Sequence, residues 1–142
     1  MERIQGKWMT EPTESHWVDE DTGLPCFICR RNRLGHWCGY VGIPERHPHW
    51  GDDDSSGCID FVVHGGVTYG QIDPKKDKAC GLDKPHWWIG FDCAHSGDMV
   101  PEWDRPGSGN IYRDMNYVRD ECLRLAKQLA EAGTRRAVSE SN

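Results

Sequence analysis

Apolar residues recur at Ile111, Met115, Val118, Cys122, Leu125 and Leu129, a 4-3-4-3-4 spacing that draws one continuous stripe along an α-helix. Asp114 suits the positive end of that helix, Asp120 can pair with Arg124, and Gly133 is a natural stop. The helix is therefore expected to end there, with residues 134–142 as a loose tail. Four earlier runs read as strands: residues 24–32 (LPCFICRRN), 36–43 (HWCGYVGI), 58–63 (CIDFVV) and 86–93 (HWWIGFDC). Arg33, Leu34 and Gly35 look like a hairpin connection, and Pro44 stops the second strand. Residues 44–57, 71–85 and 94–109 carry the Pro, Gly, Asp and Lys of surface loops. Residues 1–23 are polar and are expected to form an irregular arm in which Trp8 and Trp17 pack down locally. The pattern predicts one α+β domain over residues 24–133: a four-stranded, mainly antiparallel sheet with one long C-terminal helix packed on one face.

One helix covers one side of such a sheet, and side chains alternate along a strand, so each strand sorts into a covered and an open face. Trp37, Val41, Ile43, Ile59, Phe61, Val63, Ile89, Phe91 and Cys93 form the set that should meet the helix. The opposite parity carries His36, Cys38, Tyr40, Asp60, His64, Trp88 and Asp92, with His95 and Asp98 following at a strand end. Sites are often built on loops held by a rigid scaffold. This open face is the expected site.

Composition narrows what that site does. The chain has 142 residues, 37% of them hydrophobic, enough for one domain with a small core. Seventeen Lys and Arg against 23 Asp and Glu give a net charge of −6, which argues against duplex DNA as a partner and leaves open one with a basic surface. No run reaches the roughly 18 apolar residues of a membrane span, and the opening MERIQGKWMTEPTESHWVDEDTG lacks a signal-peptide core, so a cytoplasmic, membrane-free protein is expected. Homo-oligomer formation stays open.

Three chemistries compete for the open face. His36, Cys38, His64 and Asp92 offer nitrogen, sulfur and oxygen ligands for tetrahedral zinc, although the spacing of known zinc modules is absent. Otherwise no cofactor is expected. His64, Asp92 and His95 suit acid–base work on a phosphodiester, since imidazole titrates near neutral pH and a carboxylate can orient it. No GxSxG, Walker or HExxH motif accompanies them, so the expectation leans away from an enzyme. Binding without turnover is the third reading. His36, Tyr40, His64, Trp88, Asp92, His95 and Asp98 would line the pocket, and Gly65 and Gly66 would present backbone N–H groups to phosphate with Arg30, Arg31 or Arg113 as countercharge.

The blocks GHWCGYVGIPERHPHWG (35–51), VHGGVTYG (63–70), WWIGFDCAHSGD (87–98) and YRDMNYVRDEC (112–122) resemble a family of small proteins encoded by tailed bacteriophages and prophages. Members carry a longer, cysteine-containing insertion where this chain has residues 71–85. The resemblance implies phage origin and a place in the host cytoplasm. Set beside the pocket, it suggests an accessory protein that counters host immunity by sequestering a small nucleotide-like signal. A metal-assisted or His/Asp-based hydrolase of such a ligand is the alternative, and an inhibitor that binds a basic surface of a host defence protein is the third.

Overall fold

The computed structural model describes residues 6–30, 35–53, 60–105 and 107–141, with side chains through residue 134. Its centre is the strand β3 (Trp37–Ile43), buried at every position. A strand covered on both faces reads as a continuous apolar run, which is why WCGYVGI does not alternate. β2 (Pro25–Arg30) flanks it on one side and β5 (Trp87–Asp92) on the other. The edges are β1 (Glu14–Val18), which alternates between exposed and half-buried residues, and the short β4 (Tyr69–Ile72). The described residues thus form a five-stranded sheet of order β1-β2-β3-β5-β4, antiparallel throughout.

The long helix α2 (Met115–Ser141) closes one face. Its Val118, Cys122, Leu125, Ala126 and Leu129 are fully buried and share a core with Ile28, Trp37, Val41, Ile43, Ile89 and Phe91. Burying each large apolar side chain is worth about 1.5–3 kcal/mol, so this layer dominates the stability of the domain. Gly39 lets the helix come close, since a Cβ there would lie 2.6 Å from the Phe91 ring and 2.7 Å from Cys122 Sγ. The parity expected for Trp37, Val41, Ile43, Val63, Ile89, Phe91 and Cys93 holds, and Phe61 packs against the same core.

The other face is not open. The short helix α1 (Pro74–Ala79) and the turn after it lie over Phe27, Cys38, Tyr40 and Trp88, with Cys80 and Leu82 packed against them. Asp73 caps α1 by accepting from the Lys76 N–H, and Pro74 fits its first turn. Asp77 accepts the Trp88 indole N–H at 2.9 Å. Where residues 71–85 were expected to be a solvated loop, 71–72 complete β4 and α1 with the turn after it covers the sheet.

Three other expectations change. Residues 60–63 are not a strand; Gln128 of α2 accepts the Val62 N–H and donates to the Val62 carbonyl, both at 2.8 Å, so a side-chain amide does the work of a strand neighbour. Ile59 and the rest of 54–59 lie outside the described residues, as do Arg33 and Leu34 of the hairpin connection. From residue 6 onward the arm is ordered: β1 pairs with β2, Arg30 donates to the carbonyls of Trp8, Glu11 and Pro12, and Glu11 accepts from Trp37 Nε1, the Tyr112 hydroxyl and Met115 N. Finally α2 runs through Gly133 to Ser141, because one glycine costs a helix only about 1 kcal/mol and the helix-tolerant TRRAVSES follows. No helix of the described residues is long and apolar enough to cross a membrane.

Candidate functional site

Residues 63–66 form a tight turn in which Gly66 N–H donates to the Val63 carbonyl at 2.8 Å, and Gly65 and Gly66 take φ of +69° and +80°, a region that disfavours other residues. This turn carries His64 to the start of α2. There it meets Asp98, held by a bridge in which Ile111 N–H reaches the Gly97 carbonyl and Met99 N–H the Ile111 carbonyl. His64 Nε2 lies 2.7 Å from Asp98 Oδ2, and its Nδ1 lies 2.7 Å from the Tyr117 hydroxyl. An ionised carboxylate only accepts, so Nε2 carries a proton and donates to Asp98, which leaves the Nδ1 contact to the Tyr117 hydroxyl. The Asp98 side chain has no exposed surface; Arg113 Nε donates to its Oδ1 at 2.9 Å and His95 N–H to its Oδ2 at 3.0 Å.

Burial works against the charge on Asp98, yet hydrogen bonds from His64, Arg113 and the His95 backbone hold the carboxyl below the usual carboxylate range. The same pair pushes Arg113 up. Burial, helped by the charge of Glu121, raises the Tyr117 phenol, so it stays protonated and available as a donor at neutral pH.

His95 joins from the far side, its ring 6.1 Å from that of His64 and inclined to it by 65°. A Cβ at Gly65 would fall 2.2 Å from the His95 ring, so only glycine permits this approach. His95 Nε2 sits 3.1 Å from Asp92 Oδ1, a close polar contact that is not a hydrogen bond. Asp92 is oriented by Thr68 Oγ1 and Ala94 N–H, each at 3.1 Å.

The structure thus brings together His64, Gly65, Gly66, Asp92, His95 and Asp98 of the expected pocket. It separates them from Tyr40 and Trp88, which lie under α1; Trp88 has no exposed surface at all. His36 is buried where the chain enters β3. The zinc set does not close: Cys38 and Asp92 are opposite each other on β3 and β5, but both ring nitrogens of His64 are engaged elsewhere. Among the described residues no three His, Cys, Asp or Glu side chains are placed to hold a metal ion. Tyr117 is the member that sequence reasoning missed. It lies off the apolar stripe, and its only signal is a position near the start of the expected helix, four residues after Arg113.

Most side chains of the cluster are half-buried, with Asp98 buried beneath them. A groove of about 1030 Å³ runs between Thr22 and Leu123, Lys127 and Ala130 of α2, and one of about 580 Å³ lies between Pro25, Arg46 and Lys84. Neither is lined by a residue of the cluster; the first is edged by Asp19, Asp21, Arg124, Lys127 and Glu131 and the second by Glu45, Arg46, Asp83, Lys84 and His86, and we place the chemistry with the groups hydrogen-bonded to the buried Asp98 carboxylate. Comparison with protein-family models, with curated proteins and with solved structures finds no match to this chain.

Proposed function

We propose that the protein binds a small anionic, nucleotide-like ligand at the His64, His95 and Arg113 cluster and holds it without turnover. In this reading it is a phage accessory protein that counters host immunity by sequestering a signalling molecule. The observation that carries the proposal is the convergence of the His64 imidazole, the Arg113 guanidinium and the His95 backbone N–H on one buried carboxylate, Asp98, beside a left-handed Gly65-Gly66 turn. Arg113 binds Asp98 through Nε, which leaves its two terminal nitrogens outside that ion pair and suited to a phosphate oxygen. Trp103, 62% exposed on the loop that leaves Asp98 and returns at Ile111, replaces Trp88 as the candidate stacking surface. Binding is favoured over catalysis because both nitrogens of His64 are already hydrogen-bonded, so the ring is no free base.

One observation favours hydrolysis as the second reading. Asp98, His64 and Tyr117 form an unbroken hydrogen-bonded chain ending in a hydroxyl, the arrangement by which a carboxylate-oriented imidazole can draw a proton from a nucleophile. Incubating the protein with cyclic dinucleotides and cyclic ADP-ribose isomers, then denaturing it and separating the supernatant, distinguishes the two. Unchanged ligand released by wild type and lost with His95→Ala supports sequestration. A cleaved product abolished by Tyr117→Phe supports hydrolysis, and neither outcome leaves the inhibitor of a basic host protein, to which the charge of −6 is suited.

A further inference from the structure

Outside this cluster, the face under α1 holds an arrangement of thiols with its own chemistry. Cys29 of β2 and Cys38 of β3 stand directly opposite each other in the antiparallel register. Opposed residues share a face, with Cα atoms about 4.5 or 5.5 Å apart according to the type of pair, and both separations fall within the roughly 4.4–6.8 Å spanned by disulfides. Cys38 is 2% exposed, whereas Cys29 is half-buried and packs against the same aromatic cluster. Both are thiols in this structure.

We propose that Cys29 and Cys38 are a redox-active pair that closes into a cross-strand disulfide on reaction with a low-molecular-weight disulfide such as oxidised glutathione. Cys29 is the accessible member and attacks first: its thiolate bonds to one glutathione sulfur, the glutathione S–S bond breaks, and one glutathione leaves with the displaced electron pair. The Cys38 thiolate then attacks Cys29 Sγ, forming the Cys29–Cys38 bond and expelling the second glutathione. The protons lost by the two cysteines end on the two departing thiolates. Two protein thiols are oxidised and one small disulfide is reduced. Burial of Cys38 explains the division of labour, since a thiol shielded from bulk reagents still reaches a sulfur brought to the neighbouring strand. Cys38 also stands opposite Asp92, so the bond would form one strand away from the carboxylate beside His95.

Cys80, half-buried against the same cluster, is the competing partner and makes the test discriminating. The full chain is equilibrated in mixtures of reduced and oxidised glutathione, the remaining thiols are alkylated, and non-reduced peptides are mapped by mass spectrometry. The expected result is an intramolecular Cys29–Cys38 link that removes two hydrogens and is reversed by dithiothreitol, while Cys38→Ser stops at a stable glutathione adduct on Cys29. A stable adduct on Cys29 of the wild type, a link through Cys80, or a Cys29–Cys38 link that forms only after denaturation overturns the proposal.

Discussion

The two faces of the sheet are sealed by different chemistry. Against one, α2 lays down Val118, Cys122, Leu125, Ala126 and Leu129, a stripe with no exposed surface and no formal charge. Against the other, the six residues of α1 present a cation: Lys76 Nζ lies 4.1 Å from the centroid of Tyr40, 5.3 Å from that of Tyr69 and 5.4 Å from that of Phe27, with Asp73 at 2.6 Å. A helix of that length cannot bury a wide apolar stripe, so the aromatic rings are capped by an ammonium whose charge is answered by their faces and by one carboxylate. Closure of a sheet face therefore does not require a wholly hydrophobic partner, for here a cation sits beside Cys80 and Leu82. It requires only that each polar group brought over the face has an acceptor or donor waiting.

The contrast is measurable. Leu125→Ala should be the most damaging of the substitutions considered, costing about 2–5 kcal/mol in urea unfolding, because it removes a fully buried side chain and leaves a cavity between helix and sheet. Lys76→Met keeps the length of the side chain and removes the charge, so it should cost only about 0.5–2 kcal/mol, the range of a cation over aromatic rings. If the lysine variant proved as unstable as the leucine variant, the two faces would contribute alike and the comparison would break.

This asymmetry also decides what could be read from the chain. The α2 face was legible because a 3.6-residue period and strand parity are local patterns, and Trp37, Val41, Ile43, Ile89 and Phe91 fall where those patterns put them. The α1 face was not. Lys75, Lys76 and Lys78 look like solvent-facing charge, and nothing local says that Lys76 folds back over Tyr40, a contact between residues 36 positions apart. The same blindness split the expected set of site residues. Parity correctly placed Tyr40 and Trp88 on the face away from α2 but could not know that face was covered, whereas His64, His95 and Asp98 met because a glycine turn and a loop bridge brought them to the start of α2. β4 was hidden for a related reason. A four-residue edge strand with two exposed positions has too little alternation to be told from a loop.

Acid should separate the two faces by a smaller but directional effect. On the α2 side, His47 Nε2 donates to the Leu129 carbonyl at 2.7 Å and Nδ1 accepts the His49 N–H at 3.0 Å, so the neutral ring is satisfied at both ends. Burial holds this imidazole below its ordinary 6.5. As pH falls through 6.5 the unfolded chain takes up a proton that the folded one refuses, so stability declines from there until the folded ring also titrates, by at most about 1.4 kcal/mol per pH unit. On the α1 side, burial opposes ionisation of Asp73, but its hydrogen bond to Lys76 keeps the carboxyl below 3.8. Its contribution is complete above 3.8 and disappears only as pH drops through the folded value. Unfolding free energy followed between pH 7.5 and 5 should therefore fall in the wild type and flatten in His47→Gln, whose amide retains a donor for the Leu129 carbonyl. A wild-type slope that survived the substitution would assign the acid sensitivity to another of the seven histidines and remove pH as a way of telling the faces apart.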